Sequence, residues 1–238
     1  MLTLPKGLTV KRNRANEAKL LDKARAWLEK DERTDGIHAS GLLDPRQSYW
    51  GIKKPQEISD RLVNIFLVGK ILHVLILGQG GSDEGSFFNK KLGIWYSPDS
   101  IRNGKVREIK TTRSFYAPKD YKDLDMYLEQ VLIYMAAANV LEADLDVLYI
   151  NLRDEETKRT SPEYRCFKVT ITESDLARVT KEIITTRKSI EAALESKQKE
   201  AWRELPLCRE WKCSAGGCNW YHDCQPEGRY GEKKFDRG

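Results

Sequence analysis

The dipeptide Asn103-Gly104 joins two β-prone runs, at about 92–101 and 104–113, and constrains the fold more than any other feature of the chain. A two-residue type I′ turn needs positive φ at both central positions, which Asn and Gly tolerate. That turn pairs Arg102 with Lys105, Ile101 with Val106, Ser100 with Arg107 and Asp99 with Glu108. Directly opposed side chains have Cβ atoms roughly 4.5–5.5 Å apart, and like charges there repel. Lys110, two residues beyond Glu108, leaves its strand on the same side. Two carboxylates forced together beside an ammonium read as a metal site that tolerates the strain. A solvated, salt-bridged hairpin is the alternative, and Pro98 marks an edge or bulge that can shift the register by one.

The rest of the 238-residue chain supplies enough material for one large domain, or one domain with an appendage. Charged residues make up 32% and mean hydropathy is −0.61, as in a soluble protein. The apolar run at 61–78 is interrupted by Asn64, Lys70 and His73, which excludes a membrane span. The N-terminal segment has no apolar signal region, so a cytoplasmic, reducing setting is expected. There the five cysteines serve as metal ligands or core residues rather than in disulfides. A net charge of +5 permits a polyanionic partner without requiring one. Lys11, Arg12 and Arg14, and the group Lys105, Arg107 and Arg113, either track a nucleic-acid backbone or form a solvated face.

Helical periodicity predicts helices over 14–30, 57–77, 123–140 and 173–202, with strands at 144–153 and 164–172. Residues 33–51 read as a turn-rich connection in which Ser40 caps a short helix, and 78–85 as a glycine-rich loop. The order implies a mixed α/β domain over 1–203 with a cysteine-rich tail over 204–238 packed on it.

Asp99, Glu108 and Lys110 suit metal-assisted phosphodiester hydrolysis. Carboxylate oxygens hold Mg²⁺ or Mn²⁺, and the lysine orients a water or offsets charge on the phosphate. Gln130 and Tyr134 fall at i and i+4 on the helix that follows. They either face a phosphate and the lysine, or are a surface amide and a packed phenol. Asp99, Glu108-x-Lys110 and Gln130-x₃-Tyr134, in that order, resemble the PD-(D/E)XK nuclease superfamily and, more narrowly, its RecB-like branch. The resemblance implies a restriction-endonuclease-like mixed sheet flanked by helices. It implies metal positions at His73, Asp99, Glu108 and Ile109, with His73 on an upstream helix, and Gly93 loosely matches the branch's GxxD element.

Cys208, Cys213, Cys218 and Cys224 are spaced C-x₄-C-x₄-C-x₅-C and flanked by Trp211, Trp220 and Tyr221. That spacing is wider than a zinc knuckle and favours an iron–sulfur cluster of 4Fe–4S type, with zinc as the alternative. Cys166 lies in a strand and reads as core; His38 and His222 are unassigned. Iron–sulfur RecB-like nucleases, among them the CRISPR-associated exonucleases of the adaptation machinery and related phage proteins, place one cysteine before Pro-Arg and three after the core. Here Asp44 stands before Pro45-Arg46, so Cys208 is read as the replacement ligand. The resemblance implies a metal-dependent exonuclease on single-stranded DNA, acting 5′→3′. A homo-oligomer and an integrase or recombination partner are left open. The rival reading is a DNA-end-binding subunit with little activity of its own.

Overall fold

The computed structural model describes residues 36–56, 63–69, 85–118, 120–154, 156–209 and 218–224, with residues 14, 18, 19, 22, 23, 25, 26, 71 and 213. The chain divides into two compact units, Met1–Arg33 with Glu57–Ile76, and Thr34–Gln56 with Leu77–Gly238. In the first, residues 63–69 are helical, within the helix expected over 57–77. His73, Lys11 and Arg12 lie outside the described residues. The described tail cysteines share the second unit with the sheet.

The second unit is built on a mixed four-stranded sheet in the order β3-β4-β5-β6. Strand β3 is Ser100–Arg102, β4 Lys105–Thr112, β5 Glu142–Arg153 and β6 Thr160–Thr170. Strands β3 and β4 are antiparallel across the Asn103-Gly104 turn, in the register Ser100 opposite Arg107, Ile101 opposite Val106 and Arg102 opposite Lys105. Both turn residues have positive φ, 51° and 71°. Strands β4 and β5 run parallel, so the chain between them makes a crossover. Edge strand β6 pairs antiparallel with β5 and carries Pro162, which an edge tolerates because no ladder donor is needed there.

The crossover contains helix Asp125–Ala138, and the final long helix is Glu173–Glu195. Numbered in chain order after Ala39–Leu42 (α1) and Pro45–Lys53 (α2), these are α3 and α4. Helix α3 packs on the sheet face that carries Val106, Leu145 and Val147, and α4 packs on α3 and α2, with Val131, Met135 and Ile190 in the shared core. Helix α4 begins in a capping box in which Thr172 and Asp175 each satisfy the other's backbone N–H. This is the mixed α/β sheet with flanking helices that the element order implied.

Several local expectations need correction. The run at 92–101 is two strands, because β2 (Ile94–Tyr96) ends before Pro98 and β3 starts after it. A further strand, β1 (Phe87–Asn89), pairs with β2 in a separate ribbon. The turn-rich connection contains two helices: α1 starts after His38, so Ser40 lies inside it, and Pro45 opens α2 at its first position. Helix α4 stops at Glu195, well short of 202. The polar run 196–200 offers no apolar face, and the chain re-enters the core in a 3₁₀ turn that buries Trp202. Among the described residues no helix is long and apolar enough to cross a membrane.

Candidate active site

Side chains alternate along β4, so Val106, Glu108, Lys110 and Thr112 leave on the helix-covered side while Arg107, Ile109 and Thr111 leave on the other. Glu108 is buried, and the Lys110 ammonium donates to its Oε1 in an ion pair. Asp99 stands one residue before β3, where continuation of the ladder brings it across from Glu108. Its Oδ2 accepts a 2.6 Å hydrogen bond from the Ile109 N–H. The carboxylate is therefore fixed by the backbone of the strand that carries Glu108 and Lys110.

The approach to Asp99 is fixed as well. The β1–β2 turn is closed by the Asn89 side chain, which accepts from Leu92 N and donates 2.7 Å to the Ala137 carbonyl at the end of α3. Gly93 in that turn has φ of 67°, and a Cβ there would meet Arg187 at 2.9 Å. Phe87 stacks on Tyr96 and Phe88 on Trp95 along the ribbon.

Helix α3 presents Gln130 and Tyr134 together, the amide donating 2.7 Å to the phenol oxygen. Tyr134 is buried, and that burial pushes its pKa well up, with the charges of Glu108 and Asp99 adding to the effect and the Gln130 hydrogen bond opposing it. The phenol therefore stays protonated and retains its own proton to donate. Tyr134 is a core residue, and it lies within electrostatic reach of both carboxylates.

Two members of the basic group on the hairpin are ion-paired. Lys105 is ion-paired with Glu142 at 2.8 Å, and Arg107 donates 2.6 Å to Asp146, a carboxylate buried on the far side of the sheet. These two cations are held by carboxylates while remaining partly exposed, and Arg113 is exposed. Asp146 and its pairing with Arg107 were missed because a lone Asp in a strand carries no local signal. Cys166, expected in the core, is exposed on edge strand β6.

The four tail cysteines are free thiols gathered around α2. Cys208 lies within electrostatic reach of Cys218, Cys224 and Asp44, and Cys213 of Cys218 and Cys224. Gln47 donates to Cys218 Sγ at 3.6 Å and Arg46 to Cys224 Sγ at 4.0 Å. Burial pushes the Cys208 thiol up to about 12, against the Gln47 N–H that favours the thiolate. His222 stands edge-on to Tyr221 in the short helix α5, Tyr221–Cys224. Among the described residues no three His, Cys, Asp or Glu side chains form a group able to hold a metal ion. The two sets differ in donor chemistry, with paired hard oxygens at Asp99 and Glu108 and four soft sulfurs in the tail.

What fastens the tail was not foreseen. Arg46 donates to the carbonyls of Leu205 (2.9 Å) and Arg203 (2.8 Å) while its guanidinium lies over Trp202. Lys54 pairs with Asp223, and Trp220 donates to the Lys54 carbonyl. Arg209, next to Cys208, pairs with Glu129 and Asp125 on α3.

No protein-family model matches the chain, and no curated protein matches it either. Solved structures do. That of SSO0001 aligns with a TM-score of 0.52 at 17% identity, covering 89% of this chain and 96% of its own. An alkaline exonuclease, LHK-Exo, from Laribacter hongkongensis aligns with a TM-score of 0.44 at 17% identity over 76% of this chain and 98% of its own. A phage-related exonuclease from Haemophilus somnus 129PT aligns at 0.36 and 11% identity, over 76% of this chain and 86% of its own. The similarity to SSO0001 is one of fold.

Proposed function

We propose that this chain is a metal-dependent DNA nuclease that degrades single-stranded DNA from an end, 5′→3′, with an iron–sulfur cluster held by its tail. One observation carries the nuclease reading: Asp99, Glu108 and Lys110 meet beside the Gln130–Tyr134 pair, each held by a strand register or a hydrogen bond. The carboxylates of Asp99 and Glu108 would hold Mg²⁺ or Mn²⁺, with the Ile109 position contributing; His73 is a ligand by the resemblance alone. When bound, the ion polarises the phosphate and acidifies a water. Lys110 would orient an attacking water or offset charge developing on the phosphate. The protonated Tyr134 phenol donates toward a phosphate oxygen, and Gln130 fixes the ring that carries it.

Cys208, Cys213, Cys218 and Cys224 are the proposed cluster ligands, since thiolates are what iron–sulfur clusters take. A setting in CRISPR adaptation or phage recombination follows from the resemblance alone. The test is direct. Purified chain is incubated with Mn²⁺ and with single- and double-stranded DNA labelled at either end. A processive ladder from the 5′ end of single strands is expected. DNA binding with no metal-dependent cleavage would favour the end-binding subunit instead.

A further inference from the structure

One groove on the second unit is not accounted for by the catalytic residues. It encloses about 910 Å³ and is lined by Thr112, Tyr116, Tyr127, Tyr149, Asp123 and Arg209 among others. Thr112 lies two residues past Lys110 on the same face of β4, and pairs in register with Tyr149 of β5. Two residues of strand advance about 6.6–6.8 Å, so the groove opens within roughly one nucleotide of Lys110. Thr112 is the residue of β4 through which it borders the site.

The wall nearest that opening is made for presentation. The main chain around Tyr116 is pinned: Ser114 Oγ donates 2.9 Å to the Tyr116 carbonyl and accepts from its N–H, and Arg153 N donates 2.9 Å to the Phe115 carbonyl. The ring itself is left 73% exposed. A pinned backbone carrying an exposed aromatic ring is a stacking surface at low cost in conformational entropy.

The charge of the groove decides what can enter. Asp123, Asp125 and Glu129 outnumber Arg209, which pairs with the last two. A run of phosphates would be repelled, whereas a flat, uncharged base with hydrogen-bonding edges suits tyrosine faces. We infer that this groove receives the base of the nucleotide next to the scissile phosphate, stacked on Tyr116, while the phosphates stay on the Lys110 side. The inference rests on the nuclease reading for its substrate, and it adds a base-holding subsite to it.

The experiment separates the two. The chain carrying Lys110→Ala, in which turnover is strongly slowed, is titrated without added metal with a single-stranded oligonucleotide bearing 2-aminopurine at its end. Binding should quench the probe. Tyr116→Ala should remove the quench and weaken binding about 10-fold, the scale of one lost stack, while Tyr116→Phe should keep both. Tyr116 is so exposed that its truncation leaves the core alone, and Tyr164→Ala, on the opposite sheet face, should change nothing. Equal quenching and affinity in Tyr116→Ala, or an equal loss in Tyr164→Ala, would overturn the groove assignment even if the unsubstituted chain cleaves DNA. A Tyr116-dependent quench in a chain that cleaves nothing with Mn²⁺ would uphold the groove and overturn the nuclease reading.

Discussion

The hairpin site and the cysteine tail hold chemistry-bearing residues by opposite means. At the hairpin the chain's own hydrogen-bond ladder does the placing. A two-residue turn determines which residue faces which, and alternation along β4 determines that Glu108 and Lys110 share a side. In the tail there is little ladder to speak of. Described regular structure is limited to a 3₁₀ turn at Ala201–Glu204 and the single helical turn Tyr221–Cys224. Position comes instead from long-range side-chain contacts, chiefly Arg46 on the carbonyls of Arg203 and Leu205. A ladder is local and survives the loss of any one side chain. A fastening made of a few side chains fails when one of them goes.

The largest expected effect is therefore chemical rather than structural, and it belongs to the hairpin. Lys110→Ala should lower cleavage by on the order of 10²–10⁴-fold, the usual scale for a positioned acid–base or charge-stabilising group, with a smaller drop in melting temperature because buried Glu108 loses its ion-pair partner. Glu108→Ala and His73→Ala should each also weaken Mn²⁺ binding in a direct titration, because these are proposed ligands. Wild-type cleavage in Lys110→Ala would remove the catalytic assignment.

The tail should respond to its sulfurs first. Purified anaerobically, the protein should be brown, with bound iron and acid-labile sulfide. Cys208→Ser, Cys213→Ser, Cys218→Ser and Cys224→Ser should each bleach it or leave it labile to oxygen. Asp44→Ala should keep its colour although Asp44 is buried near Cys208, since a carboxylate is a poor match for iron–sulfur chemistry. Colourless protein with stoichiometric zinc would make the tail a zinc site, and a bleached Asp44→Ala would return the early-ligand position to residue 44.

How far each region could be read beforehand follows from the same contrast. The Asn103-Gly104 register was readable because a type I′ turn admits few sequences, and Gln130–Tyr134 because i and i+4 always adjoin on a helix. The cysteines were readable as composition and not as geometry, since nothing in C-x₄-C-x₄-C-x₅-C says what brings them together. Arg46 is separated from Leu205 by 159 residues, a contact no local pattern encodes. The Asp146–Arg107 pair escaped for the same reason, and Tyr116 because an exposed aromatic looks like any loop residue until the groove beside it is seen.

Arg46→Ala tests the fastening itself. Hydrogen bonds from a charged donor are worth about 1.5–3 kcal/mol each, and this side chain makes two to carbonyls while its guanidinium lies over Trp202. The variant should lose roughly 2–4 kcal/mol, allowing for incomplete burial and water taking the vacated carbonyls. The loss should be local. Limited proteolysis should cut after about residue 204 while the sheet stays folded. Uniform unfolding would show that tail and sheet form one cooperative unit and would weaken the contrast drawn above.

The smallest effect should come from the other contact to α2. Lys54 and Asp223 lie 2.8 Å apart, but their side chains are 55% and 30% exposed. Exposed ion pairs contribute about 0–1 kcal/mol because water screens both charges and two flexible side chains must be ordered. Asp223→Asn keeps the size and most of the hydrogen bonding while removing the charge. It should change stability by under about 0.5 kcal/mol, leave the proteolysis pattern of the tail intact, and differ from the unsubstituted chain less as ionic strength rises from low to physiological. Lys54 also offers its carbonyl to Trp220, and that backbone contact is untouched by the substitution. If Asp223→Asn instead frees the tail as readily as Arg46→Ala, the fastening is spread along α2 rather than concentrated in the guanidinium. The tail would then be held by a surface whose parts are individually weak, closer in kind to the ladder it has been set against.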